Sequence, residues 1–285
     1  MRLVSFVSAD GRFLPGVMSG DDVIDLSTHL DARPSSIQEV LELDLLAEAE
    51  QVLHDKSTPR LARPPLAAPI LKPGGILGIG LNYRDHALES GMPIPSEPIV
   101  FVKCVSALAG PDEAIHLPST SSEVDYEAEL VVVIGRRARH VPMSEAMDYV
   151  AGYTIGNDVS ARDWQLKKPG GQWTLGKSFE TFAPIGPWLV TKDEIPNPQS
   201  LAISLRLNGE TMQQSNTNQL IFSVESVVSY LSAIFPLNPG DLIFTGTPPG
   251  VGFARRPPVY LQDGDLCEVE IEGIGVLRNS CVLEL

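Results

Sequence analysis

Short apolar runs separated by turn residues characterise the first part of the chain. Residues 3–7 and 13–18 are apolar stretches on either side of Asp10-Gly11-Arg12, which predicts a β-hairpin. Residues 23–26 predict another short strand. Residues 36–53 carry apolar side chains at helical spacing and therefore predict a helix.

A cluster of prolines interrupts this pattern at positions 59, 64, 65 and 69. Prolines at such density are typical of a linker, because they cannot continue a helix or a central strand. The pattern therefore predicts a small N-terminal domain over residues 1–70. Residues 71–285 are predicted to form a second, larger domain.

Strand signals outnumber helix signals in this larger domain. Residues 201–207 alternate apolar and polar side chains and run into Asn208-Gly209, a pair typical of a two-residue hairpin turn. Residues 266–271 and 276–283 predict a C-terminal hairpin, and residues 223–234 predict a helix. The predicted fold class is α+β, predominantly β.

The acidity of the chain limits the partners it can bind. Its 285 residues carry a formal net charge of −15. A nucleic-acid surface needs a basic patch, and an anionic membrane attracts basic segments, so neither partner is expected. No apolar run approaches the roughly 20 residues that span a bilayer. Three scattered cysteines without a motif are typical of a reduced, cytoplasmic protein.

Two carboxylates stand two residues apart at the start of a buried strand. Glu127 and Glu129 precede the apolar run 130–134, and residues i and i+2 of a strand point to the same face. Two like charges side by side are costly unless a positive charge lies between them. A hard divalent cation meets that need, whereas two solvated acids at an exposed strand end are the alternative.

Asp158 supplies a third carboxylate. It follows the apolar stretch 153–155 and precedes a predicted helix start, so alone it could equally be a helix N-cap. With Glu127 and Glu129 it would form an open, oxygen-rich site that suits Mg²⁺ or Mn²⁺, with Ca²⁺ as a non-physiological occupant. No set of cysteines and histidines has the spacing of zinc ligands.

Five motifs in order along the chain resemble those of one enzyme family. They are residues 80–89 (GLNYRDHALE), 125–130 (DYEAEL), 157–163 (NDVSARD), 173–179 (WTLGKSF) and 245–252 (TGTPPGVG). Together they resemble the fumarylacetoacetate hydrolase (FAH) superfamily, in its short, bacterial or FAHD1-like acylpyruvase branch. The resemblance implies a mixed β-roll catalytic domain of the FAH type, a small N-terminal domain before it, and a homodimer.

The resemblance also implies which residues carry the chemistry. The three carboxylates match the metal ligands of the family. His86 and Glu89 match its catalytic dyad, in which the carboxylate, one helical turn away, orients the imidazole that acts as base. Lys177 is expected as a catalytic residue beside the substrate carboxylate or the developing enolate. Without the resemblance, it would be interpreted as a surface lysine.

Four more residues are expected to contact the substrate. Arg162 and Gln165 follow the third carboxylate by four and seven residues, which would place them on one face of a helical turn, and arginine suits a carboxylate. Without the resemblance, a solvated face is as good an interpretation. Thr247 offers a hydroxyl and a backbone amide. Lys103 completes the set, although many family members have proline after it and this chain has Cys104.

The resemblance implies a divalent-metal-dependent hydrolase that cleaves a C–C bond in 2,4-diketo acids, the acylpyruvates. The cation would chelate the 1-carboxylate and the 2-keto oxygen. His86 would take a proton from water, which attacks the C4 carbonyl, and the C3–C4 bond would break to release a metal-stabilised pyruvate enolate. Animal fumarylacetoacetases carry another acid upstream of this histidine. Residues 78–81 have none, so fumarylacetoacetate itself is not the expected substrate.

Other reactions and one other class stay open. The same chelate would serve an oxaloacetate decarboxylase, which uses no water, or an isomerase or hydratase of hydroxymuconate-type dienoates in aromatic catabolism. The partner in each case is a small 2-keto acid. A non-catalytic metal-binding homologue belongs to a different class. Loss of His86, Glu89 or Lys177 would have indicated it, and all three are present.

Overall fold

The fold is described by a computed structural model, which covers residues 1–89, 91 and 93–284. Within these residues the strands are β1 (Arg2–Val7), β2 (Phe13–Ser19), β3 (Asp22–Asp25), β4 (Leu66–Ala67), β5 (Ile76–Gly80), β6 (Ile99–Lys103), β7 (Leu108–Ala109), β8 (Ile115–Leu117), β9 (Val124–Asp125), β10 (Ala128–Ile134), β11 (Val150–Asn157), β12 (Ser160–Ala161), β13 (Ala183–Thr191), β14 (Ala202–Leu207), β15 (Glu210–Asn216), β16 (Leu242–Phe244), β17 (Leu266–Ile271) and β18 (Gly275–Leu283). The α-helices are α1 (Leu26–His29), α2 (Ile37–Glu42), α3 (Leu46–His54), α4 (Arg84–Glu89), α5 (Trp173–Gly176) and α6 (Val224–Ile234).

Most of these strands belong to two sheets. The larger sheet has eleven strands in the order β3-β2-β1-β13-β11-β10-β16-β5-β6, with β4 added on β1 and β7 added on β13. The smaller sheet has five strands in the order β15-β14-β17-β18-β8. The prediction of an α+β fold that is predominantly β is confirmed. No helix in the described part of the chain is long and apolar enough to cross a membrane.

The hairpins predicted from turn residues are confirmed. β1 pairs antiparallel with β2, β14 with β15, and β17 with β18. Asn208 and Gly209 have φ angles of 53° and 82°, and positive φ at both central residues is the geometry that this pair favours in a tight hairpin. Helix α6 occupies the predicted helical stretch, and the Ser223 side chain caps it by accepting a hydrogen bond from the Ser226 amide.

The prediction of a single helix over residues 36–53 is wrong in one respect, because the structure has two helices there, α2 and α3. Asp44 lies between the two helices with a φ of 56°, in the left-handed region, and its amide donates to the carbonyl of Leu41. A left-handed residue of this kind ends a helix, and aspartate tolerates it better than most residues. Apolar side chains continue at helical spacing across the break, so the spacing alone could not reveal it.

The first strand joins the N-terminal elements to the rest of the protein. β1 pairs antiparallel with β13, with Leu3 opposite Leu189. Leu3, Val17 and Ile24 belong to the same buried hydrophobic cluster as Leu189. The predicted domains 1–70 and 71–285 therefore share a sheet and a core, and the boundary near residue 70 stays a prediction.

Truncation of Leu3 should test how much this shared core contributes to stability. Leu3 is fully buried, so Leu3→Ala should lower the free energy of unfolding by about 2–5 kcal/mol, through lost burial and the cavity it leaves. Phe13→Ala is the matched control, because Phe13 lies on the same hairpin and is 49% exposed. Urea unfolding of both variants measures the difference. Equal, small losses would mean that β1 contributes little to the common core.

The pairing of β10 with β11 positions the candidate site. Every residue of β10 is buried, and Ala128 at its start lies opposite Asn157 at the end of β11. The Asp158 amide donates to the carbonyl of Glu127 over 2.8 Å. The start of one strand and the end of its neighbour therefore meet, and the residues just outside them are brought together.

Candidate active site

Three carboxylates converge where β10 begins and β11 ends. Glu127, Glu129 and Asp158 are buried, and each offers an oxygen within 4.8 Å of the others. This is the cluster that their spacing and strand-end positions predict. Carboxylate oxygens at such separations can bind one hard divalent cation together and leave positions free for water or substrate.

Two cationic side chains neutralise Glu127. Its Oε2 accepts a hydrogen bond from Lys177 Nζ over 2.8 Å, and its Oε1 lies 2.7 Å from Nη2 of Arg162. Burial alone would favour the neutral acid. Lys177 and Arg162 outweigh burial and hold the pKa of the Glu127 carboxyl at about 2. Glu127 is therefore ionised before any metal arrives.

Glu129 differs from Glu127, because no lysine or arginine pairs with it among the described residues. Its Oε2 accepts one hydrogen bond, from the amide of Gly246 over 2.7 Å. Burial, together with the negative charges of Asp158 and Glu127, raises the pKa of Glu129 well above its ordinary value. A divalent cation would stabilise the ionised form of this buried acid, because it would offset the negative charges around it. Mg²⁺ or Mn²⁺ thus fits the donor set.

Asp158 is held by two lysines. Lys103 Nζ donates to its Oδ1, and Lys177 Nζ donates to its Oδ2 over 2.5 Å. The helix that the sequence predicts directly after Asp158 is absent there, since the chain continues into β12 and the π-helical turn Asp163–Lys167 begins later. The N-cap interpretation of Asp158 is therefore wrong.

The two lysines are both fully buried but occupy different places. Lys177 lines the candidate cavity, and its amine also donates to the Ser160 hydroxyl over 2.9 Å. Burial opposes its protonation, yet Asp158 and Glu127 raise the pKa of the Lys177 ammonium. Lys103 is not among the cavity-lining residues, and burial lowers its pKa despite Asp158. This position suits a lysine that holds Asp158 in place, and it does not suit the substrate contact that the sequence predicts for Lys103.

Arg162 and Gln165 both line the cavity, as expected, but they do not share a helical turn with Asp158. Arg162 precedes the π-helical turn, and its Nη1 donates to Gln165 Oε1 over 2.9 Å. Its Nε and Nη2 each lie 2.8 Å from Oδ2 of Asp125. Arg162 is thus neutralised by Asp125 and Glu127, and its bonds fix the positions of the side chains in this wall of the cavity.

Asp125 opens the DYEAEL motif, but the motif predicts no role for it. Its Oδ1 accepts from the Gly252 amide over 2.8 Å, and its Oδ2 accepts from the Phe253 amide over 3.0 Å. Asp125 therefore ties the loop around residue 252 to Arg162 and to the strand that leads into the carboxylate cluster. The position of Asp125 in the motif was the signal that could have pointed to it.

His86 and Glu89 form the neighbouring pair that their spacing predicts. They lie on α4, with His86 Nδ1 3.2 Å from Glu89 Oε2, and both line the cavity. The Gly250 amide also donates to the Glu89 carboxylate, over 3.1 Å to Oε1. Burial would raise the pKa of Glu89, but the bonds from His86 and Gly250 lower it overall. The carboxylate is thus available to orient the imidazole.

These side chains surround one cavity of about 300 Å³. Eight of the ten residues proposed from the sequence line it, including Thr247, whose hydroxyl accepts a hydrogen bond from Gln213 over 2.8 Å. Arg256, which sequence reasoning missed, also lines it. The remaining wall is largely apolar, formed by Ile79, Leu81, Ile99, Phe101, Leu166, Trp173, Val251, Phe253 and Ala254. A cavity of this size and lining suits a small organic acid.

Comparison with known proteins identifies the family. Residues 75–282 match the family model described as fumarylacetoacetate (FAA) hydrolase, C-terminal. The chain belongs to the fumarylacetoacetate hydrolase family. A relative from Xenopus laevis, named "Oxaloacetate tautomerase fahd2, mitochondrial", is 46% identical over 289 residues, which cover 99% of this chain and 90% of the relative.

Solved structures of the FAH family share the whole fold. A fumarylacetoacetate hydrolase from Exiguobacterium antarcticum is 35% identical, with a TM-score of 0.89 and 100% of both chains covered. The maleylpyruvate hydrolase from Sphingobium sp. SYK-6, in complex with manganese (II) ion and pyruvate, is 29% identical, with a TM-score of 0.81 and 100% of both chains covered.

The predicted superfamily and the FAH-type fold are confirmed. The narrower placement in the acylpyruvase branch is not confirmed, because the Xenopus relative is named for oxaloacetate tautomerisation, a reaction that the motifs had not suggested. The protein is a FAH-family enzyme with a buried acidic metal site. The cytoplasmic location, the homodimer and the roles of the individual site residues stay predictions.

Proposed function

We propose that this protein is a divalent-metal-dependent tautomerase that interconverts the keto and enol forms of oxaloacetate. The observation that carries the proposal is a three-carboxylate cluster beside a cavity that also holds a candidate base, His86. The 46% identity to an oxaloacetate tautomerase over nearly the whole chain supports this choice of reaction. The reaction moves one proton between C3 and the 2-oxygen and consumes no water.

Glu127, Glu129 and Asp158 would hold the metal ion. When bound, the cation supplies a Lewis acid that polarises the 2-keto group of the substrate and lowers the free energy of the enolate. Lys177, kept protonated by its two carboxylate partners, adds a fixed positive charge to the same wall of the cavity. These groups are in place before the substrate enters, so little reorganisation is needed.

His86 is the candidate that moves the proton. Its Nδ1 faces the Glu89 carboxylate, so the Nδ1–H tautomer is favoured and the Nε2 lone pair is free to accept a proton. Nε2 would take a proton from C3 of the keto form and return it to the 2-oxygen to give the enol. Glu89 stabilises the imidazolium that forms between these two steps.

Acylpyruvate hydrolysis is the second candidate, because the His86–Glu89 pair beside the carboxylate cluster suits it as well. The same Nε2 could accept a proton from water, which would attack the C4 carbonyl of a 2,4-diketo acid. The C3–C4 bond would then break and release pyruvate and a carboxylic acid. The enzyme would use the same metal ligands for this reaction and for tautomerisation.

A direct assay separates these reactions. Enol-oxaloacetate is added to the protein with Mg²⁺ or Mn²⁺, and the decay of enol absorbance is followed with and without a chelator. We expect ketonisation on the order of 10²-fold or more above the buffer rate, lost with the chelator. Pyruvate release from acetylpyruvate and from oxaloacetate is measured in parallel. Cleavage of acetylpyruvate without tautomerisation would establish the hydrolase instead. Pyruvate from oxaloacetate alone would establish a decarboxylase. Inactivity in all three assays would favour a non-catalytic homologue.

A further inference from the structure

Arg256 brings a third cationic side chain to the wall of the cavity, after Arg162 and Lys177. The other two are already neutralised by carboxylates of the protein, since Arg162 pairs with Asp125 and Glu127, and Lys177 pairs with Glu127 and Asp158. Arg256 forms no ion pair with any residue that the structure describes. Among the residues with described positions, the hydrogen bond of its side chain is from Nη1 to the backbone carbonyl of Arg255, over 3.1 Å. Its charge is therefore free to meet a ligand.

The loop that carries Arg256 is fixed at several points. The Gly250 amide bonds to Glu89, and the amides of Gly252 and Phe253 bond to the fully buried Asp125. Closer to Arg256, Nη2 of Arg255 donates to the carbonyl of Met212 over 2.8 Å. The loop thus connects the dyad, Asp125 and Arg256. These contacts hold the backbone that carries Arg256 beside the cavity.

The surroundings of Arg256 favour one kind of substrate group. Residues 251, 253 and 254 on the same loop offer only apolar side chains to the cavity. Arg256 itself is exposed, so a substrate carboxylate that enters this part of the cavity can reach its guanidinium. Arginine binds carboxylates through two parallel hydrogen bonds, so it discriminates well between a carboxylate and a methyl group.

We propose that Arg256 recognises the second carboxylate of the substrate, so that this site selects dicarboxylic over monocarboxylic 2-keto acids. The proposal rests on the proposed function, because it assumes that the 2-keto acid end of the substrate lies at the metal site. It assigns Arg256 to substrate specificity and gives it no part in proton transfer. The 2-keto acid end would bind equally well in either class of substrate.

The test is a binding comparison of two acids with the same chain length. 2-Oxoglutarate and 2-oxopentanoate differ only in a carboxylate against a methyl group at the far end. Calorimetric titration of the Mn²⁺-loaded protein should give a dissociation constant about 3- to 10-fold lower for 2-oxoglutarate, the size expected of an ion pair with an exposed arginine. In Arg256→Gln this ratio should fall close to one, while the affinity for 2-oxopentanoate stays unchanged. Arg256→Lys should keep part of the preference, because the charge remains but the paired hydrogen bonds do not.

Arg137→Gln is the matched control, since Arg137 is an exposed arginine that does not line the cavity. Its ratio of the two dissociation constants should equal that of the wild type. An unchanged ratio in Arg256→Gln, or no preference in the wild type, would overturn the proposal. The titration involves no turnover, so an absence of tautomerase activity would remove the proposed function without affecting this result. If neither acid bound the Mn²⁺-loaded wild type, both the role of Arg256 and the binding of 2-keto acids at the metal site would be overturned.

Discussion

Replacing Glu129 by glutamine should abolish tight binding of Mg²⁺ and Mn²⁺ while leaving the metal-free protein at least as stable as the wild type. Glu129 is a ligand in the predicted cluster, and a neutral amide is a much weaker ligand than a carboxylate for these cations. Its charge is also the one that the protein compensates least. The side-chain amide oxygen of the variant could still accept the hydrogen bond that Glu129 accepts from Gly246 in the wild type. Removal of a buried, uncompensated charge does not cost stability.

Asp158→Asn is the informative comparison for Glu129→Gln. It should also abolish metal binding, but it leaves Lys103 and Lys177 buried without one of their negative partners. We expect it to lower the free energy of unfolding of the metal-free protein by about 3–5 kcal/mol. Calorimetry measures the metal affinity, and urea unfolding with a chelator measures stability. If Glu129→Gln kept wild-type affinity, or if both variants lost equal stability, the charge distribution described for this cluster would be wrong.

Substitution of His86 by alanine should lower the rate of enol-oxaloacetate ketonisation by about 10²–10⁴-fold, because the base that moves the proton is lost. Affinity for Mn²⁺ should not change, since the imidazole is not in the carboxylate cluster. Glu89→Gln should have a smaller effect on the rate, because it removes only the charge that orients and stabilises the imidazole. Steady-state kinetics at saturating metal measures these changes.

His54→Ala is a suitable control, since His54 lies on the surface, with its Nε2 4.0 Å from Oε1 of Glu50. Its rate should equal that of the wild type. If His86→Ala retained full activity, another group would have to move the proton. A parallel loss of Mn²⁺ affinity in His86→Ala would instead give the histidine a structural role in the metal site.

The carboxylate cluster could be predicted from the sequence because its geometry is local. Glu127 and Glu129 share a face through the two-residue period of a strand, and Asp158 directly follows the neighbouring strand. The motif resemblance then placed His86 beside Glu89, three residues apart on one helix. In each case the deciding distance is set by backbone geometry over a few residues.

What the sequence did not reveal depends on contacts between distant segments. Lys103 donates a hydrogen bond to Asp158, which is 55 residues away along the chain. Asp125 accepts from the amides of Gly252 and Phe253, which are 127 and 128 residues away. No spacing rule connects such positions. An arginine followed by two prolines likewise gives no sign that Arg256 lines the cavity. Its loop is brought there by the bonds between Asp125 and the amides of Gly252 and Phe253.

The lysines and the arginine around the carboxylates also bear on the order in which the protein matures. Lys103, Lys177 and Arg162 already hold Glu127 and Asp158 in position through their ion pairs. Small zinc domains need their metal in order to fold, because their ligands have no other partners. This chain carries its own cations at the site, so we expect it to complete its fold where free divalent metal is scarce. Loading with metal would then be a separate, later event in a finished protein.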